Sequence, residues 1–116
     1  MKPVHAVCRN ALAAFLVVAA LSAAQETTQT FTGIITDDMC PIGSHERMRM
    51  GPTDADCVKA CISAHGAVYV LYDGKSAYVL SDQKRPEAFA AQKVSVVGTL
   101  DDKTKTIRVE SITAAR

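Results

Sequence analysis

Several stretches of the chain have the hydrophobic and polar pattern of β-strands. The first is Phe31–Thr36, in which Phe31, Gly33 and Ile35 share one face because side chains alternate with a period of two. A glycine inside a strand is typical of a bend or of a close approach by another backbone. We therefore predict a first strand here, with a crowded position at its glycine.

A hairpin is predicted in the middle of the chain. Residues 67–72 and 76–80 are rich in β-branched and aromatic side chains, which favour strands. Asp73-Gly74 lies between them and is typical of a two-residue hairpin turn.

A second hairpin is predicted at the C-terminal end of the chain. Residues 93–100 and 106–112 alternate cleanly between apolar and polar, and the loop that joins them is polar. Ile112 departs from the alternation that Val109 sets. We therefore expect a β-bulge or a bend near Ser111.

Two helices are predicted between the strands. Thr53 is a suitable N-cap, and a helix should run from about residue 54 to residue 64. It should end at Gly66, because glycine readily takes the left-handed conformation that follows a helix. A shorter helix is expected at 85–91, with Pro86 at its first position.

The order of these elements indicates the fold class. A strand is followed by an insert at 37–65 that carries a helix, then by a hairpin, a short helix and a second hairpin. Five strands with a helix between the third and the fourth are typical of an OB-fold. The expected fold is mainly β, a small five-stranded OB-like barrel with the insert after strand 1. An open five-stranded meander with one helix packed on it is the alternative.

The N-terminal residues have the pattern of an export signal. Lys2 and Arg9 give a positive start, and residues 11–21 form an apolar run too short to span a bilayer as a helix. Small residues follow, as a cleavage site requires. We predict a signal peptide at 1–24 and one mature domain at 25–116, in the periplasm or outside the cell. An uncleaved N-terminal anchor is the alternative.

The mature domain would be nearly neutral. Cleavage removes two of the 13 basic residues and leaves 11 against 12 acidic ones, a net charge near −1. This charge, together with three tyrosines confined to one hairpin, argues against nucleic acid as a partner. No later stretch is long and apolar enough to span a membrane. A protein partner cannot be named from these residues.

Three cysteines and one histidine in the insert have the composition of a zinc site. On a helix, Cys57 and Cys61 share one face, with Cβ atoms roughly 5–6 Å apart. A disulfide needs about 3.5–4.5 Å, whereas a metal ion about 2.3 Å from each sulfur fits the wider spacing. The preceding loop could fold Cys40 and His45 over the same face. The predicted metal ligands are Cys40, His45, Cys57 and Cys61.

The expected ion is Zn(II) or Cu(I). Zn(II) fits a closed site of three thiolates and one imidazole. Cu(I) is the second choice, because Met39, Met48 and Met50 would add soft thioether sulfurs nearby. The other interpretation of these methionines is that they fill gaps or lie exposed in the loop.

Three polar neighbours are left outside the predicted ligand set. His65, at the end of the helix, is expected to interact with the helix dipole. Asp37 and Asp38 are expected to form a solvated strand end. A hydrogen bond to His45 that orients its ring is the alternative.

A disulfide is the rival interpretation of the cysteines. A bond from Cys40 to Cys57 or Cys61 would tie the loop to the helix and contribute roughly 3 kcal/mol. It would leave the third cysteine of an exported chain unpaired. The protein would then be a disulfide-stabilised secreted interaction module of unknown partner. Buried and inert thiols are a third interpretation.

The chain resembles a family of small exported bacterial proteins. The likeness covers nearly all of the mature chain and is carried by these pieces: Gly33–Asp37, Cys40, His45, Cys57–Cys61, Gly66–Val70 and Val94–Asp101. It implies an OB-like fold and a Cys…His…Cys-x3-Cys pattern, and no activity. Pro41 stands where that pattern has a glycine. Met48-x-Met50 is also similar to the periplasmic copper- and silver-binding OB-fold chaperones.

Catalysis is the competing class of function. Cys40 and His45 could form a thiolate–imidazole pair for nucleophilic attack. The sequence shows no third orienting residue or oxyanion donors, and Cys-x3-Cys differs from the C-x-x-C spacing of disulfide oxidoreductases. We therefore predict a metal-binding protein, structural or in metal handling, rather than an enzyme.

Overall fold

The computed structural model describes residues 26–116. The predicted signal peptide at 1–24 lies outside this range. Within it, no helix combines the length and the apolar character that crossing a membrane requires.

Five strands, one α-helix and one 3-10 helix make up the described part of the chain. The strands are β1 (Gln29–Asp37), β2 (Tyr69–Tyr72), β3 (Ala77–Leu80), β4 (Lys93–Asp101) and β5 (Thr106–Ala114). The α-helix α1 (Asp54–His65) lies between β1 and β2, and the 3-10 helix (Arg85–Phe89) lies between β3 and β4. Each predicted strand and helix is present, with small changes in its bounds.

The strands form one mixed sheet with the hydrogen-bonded order β1-β2-β3-β5-β4. Neighbouring strands are antiparallel except β3 and β5, which pair in parallel through Val79↔Thr106 and Leu80↔Ile107. β4 also pairs with β1, so the sheet closes on itself. The mainly β class is confirmed. A simple meander is excluded, because β3 lies beside β5 rather than β4.

The hydrophobic core lies inside this closed sheet and under α1. All five strands and the helix contribute to it, with Ile35, Val58, Tyr69, Leu71, Leu80, Ala90, Val94, Val96 and Ile107. In β1 the predicted face is confirmed, because Gly33 and Ile35 are buried and Phe31 packs against the core. Ile34, on the opposite face, is 40% exposed.

The helix α1 begins and ends at the predicted caps. The Thr53 hydroxyl accepts a hydrogen bond from the backbone N–H of Asp56 at 3.1 Å. Gly66 follows the last turn in the left-handed region, with φ of 68°. Between these caps the helix buries Cys57 and Val58 in its first turns and Cys61 one turn later.

Thr53→Ala should lower the free energy of unfolding by about 1 kcal/mol, because the Asp56 N–H loses its acceptor. Urea denaturation followed by circular dichroism would measure the change. Lys59→Ala, at an exposed position of the same helix, is the matched control and should have little effect. Equal losses in the two variants would contradict a capping role.

The turn between β2 and β3 differs from its prediction. Tyr72 pairs with Ala77, so the turn has four residues rather than two. The Asp73 carboxylate explains the longer turn, because its Oδ1 accepts the backbone N–H groups of Lys75 and Ser76, both at 2.8 Å. These two hydrogen bonds, that from Ser76 most, also lower the pKa of the Asp73 carboxyl.

The β-bulge predicted near Ser111 is present in β5. Val97 pairs with Ser111, while the next residue of β4, Gly98, pairs with Val109. Glu110 is therefore the extra residue, which accounts for the broken alternation in the sequence.

The buried side of α1 contacts two separate hydrophobic clusters. Val58 joins the main core. The two helix cysteines form a second buried cluster with Ala67, and Met50 and Ile62 pack against it. The loop that precedes the helix therefore lies over the cysteine side of α1.

Candidate metal centre

A sharp turn follows β1 and is organised by Asp37. This carboxylate is fully buried, and its Oδ1 accepts the backbone N–H groups of Met39 and Cys40 at 3.0 and 2.9 Å. The Thr36 hydroxyl donates to the Cys40 carbonyl at 2.8 Å. These bonds hold Cys40 against the end of the strand. The expectation of a solvated Asp37 is wrong, because these backbone donors hold its carboxylate inside the turn.

Asp37, Cys40 and His45 form one buried group. These residues are 0%, 7% and 3% exposed, respectively. A carboxylate oxygen, the cysteine sulfur and a ring nitrogen all lie within 4.8 Å of one another. Oxygen, sulfur and nitrogen atoms of these residue types are all zinc ligands. The group could therefore hold a metal ion.

Two polar atoms of this group are unpaired. Asp37 Oδ2 and His45 Nδ1 are buried and find no hydrogen-bond partner among residues 26–116. Leaving one buried polar group without a partner costs about 1–3 kcal/mol, and more when the group is charged. Such groups are rare in native proteins. Two of them in one side-chain group indicate that a ligand contacts this place.

The sulfur of Cys57 is engaged by the loop. It donates to the Met48 carbonyl and accepts the Met50 N–H, both at 3.3 Å. Cys57 is fully buried and fastens the loop to the first turns of α1. Neither Cys57 nor Cys61 is one of the three residues whose ligand atoms converge within 4.8 Å.

Cys61 is buried on the same face of α1 as Cys57 and is affected by the charges of the buried group. Burial raises the pKa of its thiol to about 11, and the charges of Asp37, Cys57 and Cys40 act in the same direction, as does a hydrogen bond with Cys57. Burial also raises the pKa of Cys40, followed by the charges of Asp37 and Cys57. The carboxylate and the three thiols therefore share one region of low polarity.

The structure brings two of the four predicted ligands, Cys40 and His45, into one group. It adds Asp37, which sequence reasoning left out. Cys57 and Cys61 share the buried face of α1 as predicted, and their binding of a metal remains a prediction. Asp37 could have been found only from its spacing to Cys40, since an aspartate often accepts backbone N–H groups two and three residues later.

The remaining polar neighbours and the methionines lie largely where they were expected. Asp38 and His65 are exposed, outside the buried group. Met39 and Met48 are 41% and 45% exposed, which agrees with exposed loop residues. Met50 is half-buried against the cysteine cluster.

No disulfide joins the cysteines within residues 26–116. Cys40, Cys57 and Cys61 are all free and buried. The free thiols do not support the disulfide interpretation, which remains the rival prediction.

A cleft of about 500 Å³ opens beside the buried group. Met39, Cys40 and Met48 are among its lining residues, together with the charged Glu46 and Arg47. Cys40 is thus shared between the cleft and the buried group.

A scan against protein-family models, a search of curated proteins and a search of solved structures each found no match to this chain.

Proposed function

We propose that this chain is a metal-binding protein that takes one ion at Asp37, Cys40 and His45. The observation that carries the proposal is the pair of buried, unpaired atoms, Asp37 Oδ2 and His45 Nδ1, in a group whose ligand atoms lie within 4.8 Å. A cation would give a partner to a carboxylate, a thiolate and an imidazole at the same time. Hydrogen bonds from Met39 and Cys40 already orient the other carboxylate oxygen.

The electrostatics favour a bound cation over nucleophilic catalysis. A catalytic cysteine needs a lowered pKa. Here burial raises the pKa of the Cys40 thiol, and the charges of Asp37 and Cys57 act in the same direction. Asp37 supplies the third residue that a Cys40–His45 pair would need, but its charge disfavours the thiolate. A metal ion reverses this balance, because a coordinated thiol loses its proton.

Cys61 is the best fourth ligand. The sulfur of Cys57 already has two backbone partners in the loop. Cys61 is buried, and the charges of Asp37, Cys57 and Cys40 act on its thiol. Zinc in a closed site takes four oxygen, nitrogen or sulfur ligands. We therefore assign the set Asp37, Cys40, His45 and Cys61, with the originally predicted set containing Cys57 as the alternative.

The fold and the location belong to the same proposal. The strand order β1-β2-β3-β5-β4, the parallel β3–β5 pair and a helix between β3 and β4 support an OB-like barrel with the site on its insert. The signal pattern at 1–24 supports a protein of the periplasm or the extracellular space. Zn(II) and Cu(I) are both compatible with the donor atoms.

Metal analysis of the purified protein tests the proposal. We expect one equivalent of Zn(II) or Cu(I) per chain, and loss of at least about tenfold in affinity in Asp37→Asn and in His45→Gln. Competition with a chromophoric chelator measures the affinity. Asp38→Asn and His65→Gln make the same changes at exposed positions and should bind like the wild type. A protein that takes up neither ion, and whose mass is two daltons low from a disulfide, would overturn the proposal.

The two helix cysteines should respond differently to substitution. Cys61→Ser should weaken metal binding by roughly tenfold or more, because it removes a thiolate ligand. Cys57→Ser should keep the affinity and lower the free energy of unfolding, because serine only approximates the two hydrogen bonds of the sulfur. Chelator competition and urea denaturation separate these effects. The reverse result would favour Cys57 as the fourth ligand.

A further inference from the structure

Three of the eight residues that line the cleft beside Asp37, Cys40 and His45 carry sulfur. Met39 and Met48 lie on its wall with Cys40. The two methionines are 41% and 45% exposed, so neither is needed to fill the core. Glu46 and Arg47 also line the cleft, and their opposite charges largely cancel. The sulfur atoms therefore set the chemical preference of this surface.

We infer that this cleft is the entry route for a soft monovalent metal ion, Cu(I) or Ag(I), which the protein exchanges rather than holds permanently. The inference rests on the proposed metal site and names its cargo. Thioether and thiolate ligands select soft ions of this kind. Met39 and Met48 would capture the ion first and pass it to Cys40.

The placement of Cys40 favours exchange over a permanent structural ion. A structural zinc site surrounds its ion with protein ligands. In this group Asp37 and His45 are 0% and 3% exposed, whereas Cys40 is 7% exposed and lines a cleft open to solvent. Cys40 is therefore the member of the group that borders the cleft, while Asp37 and His45 do not line it.

Transfer through the cleft needs only ligand exchange. The ion leaves the methionine sulfurs as its bond to Cys40 forms, and the thiol proton of Cys40 goes to solvent. The ion keeps its charge of +1 throughout, so no oxidant or reductant takes part. An arriving ion thus gains a thiolate before it loses the last thioether.

The double variant Met39→Leu/Met48→Leu tests the inference. Leucine keeps the size and removes the sulfur, and both positions are exposed, so folding should not suffer. Under anaerobic, reducing conditions, transfer of Cu(I) from a chromophoric chelator should slow by roughly tenfold. The affinity for Cu(I) should not change, because the methionines do not hold the ion in its final position. Zn(II) affinity should not change. Ag(I), which needs no reductant, should behave as Cu(I) does.

Met50→Leu is the matched control, since Met50 packs against the cysteine cluster and does not line the cleft. This variant should transfer Cu(I) at the wild-type rate. An unchanged rate of Cu(I) transfer in the double variant, with metal binding intact in the wild type, would overturn the inference alone. A wild-type protein that binds neither Zn(II) nor Cu(I) would overturn the proposed function as well.

Discussion

Leu71→Ala should lower the free energy of unfolding by about 2–5 kcal/mol, a large share of the roughly 5–15 kcal/mol that stabilises a typical domain. Leu71 is fully buried in β2 and pairs with Ile35 of β1 and Tyr78 of β3. Truncation of this side chain leaves a cavity in the core. The strands β1, β2 and β3 cannot move to fill it without breaking the hydrogen bonds that set their register. Urea denaturation followed by circular dichroism measures the loss.

Ile34→Ala is the control for this experiment. Ile34 is next to Ile35 in β1, but it faces outward and is 40% exposed. We expect its truncation to change the free energy of unfolding by only about 0.5 kcal/mol. Similar losses for Leu71→Ala and Ile34→Ala would show that the closed sheet does not bury the face assigned to it.

Gly33→Ala should cost about 1–3 kcal/mol, even though it adds a single methyl group. A Cβ at this position would lie 2.3 Å from the carbonyl oxygen of Tyr72, 2.8 Å from its carbonyl carbon and 3.1 Å from the Cα of Asp73. All three are backbone atoms, so no side-chain rotation relieves the overlap. The end of β2 must move away from β1.

Thr32→Ala tests whether the effect belongs to the glycine. Thr32 precedes Gly33 in the same strand and its side chain is exposed. Its truncation should have little effect on the urea midpoint. Hydrogen exchange adds a local measurement, because only Gly33→Ala should reduce the protection of amides where β1 pairs with β2. A neutral Gly33→Ala variant would contradict the close approach.

Local features of the fold could be predicted from the sequence because they depend on neighbouring residues. Thr53 and Gly66 fix the ends of α1 through hydrogen bonds and backbone conformation within a few residues. The crowded position at Gly33 and the bulge beside Ser111 follow from one residue type and one break in alternation. In each case the physical cause is contained in a short stretch of chain.

Two features of the sheet could not be derived in this way. The β2–β3 turn has four residues because of the hydrogen bonds of Asp73, which competed with the hairpin preference of Asp73-Gly74. The parallel pairing of β3 with β5 joins residues of two different hairpins. Strand patterns predict which residues face inward, and they leave the partner of each strand open.

The candidate site also contains residues that the sequence predicted and one that it did not. Its residue types pointed to Cys40 and His45 directly, because cysteine and histidine are frequent metal ligands. Asp37 was assigned to solvent, and only the turn that closes over it shows otherwise. The sequence placed all three cysteines in the predicted ligand set and did not separate Cys57 from the other two. The Met48 carbonyl and Met50 N–H distinguish Cys57 from the other two.

The register of β1 has a consequence for the lifetime of the protein. Asp37 pairs with Tyr69 of β2 and also belongs to the buried group with Cys40 and His45. An ion bound there would therefore stabilise the place where the insert leaves the sheet. Free ion at a hundred times its dissociation constant would stabilise the folded chain by about 2.7 kcal/mol. Proteases cut the unfolded or locally opened chain. The amount of this protein would therefore rise and fall with the supply of metal.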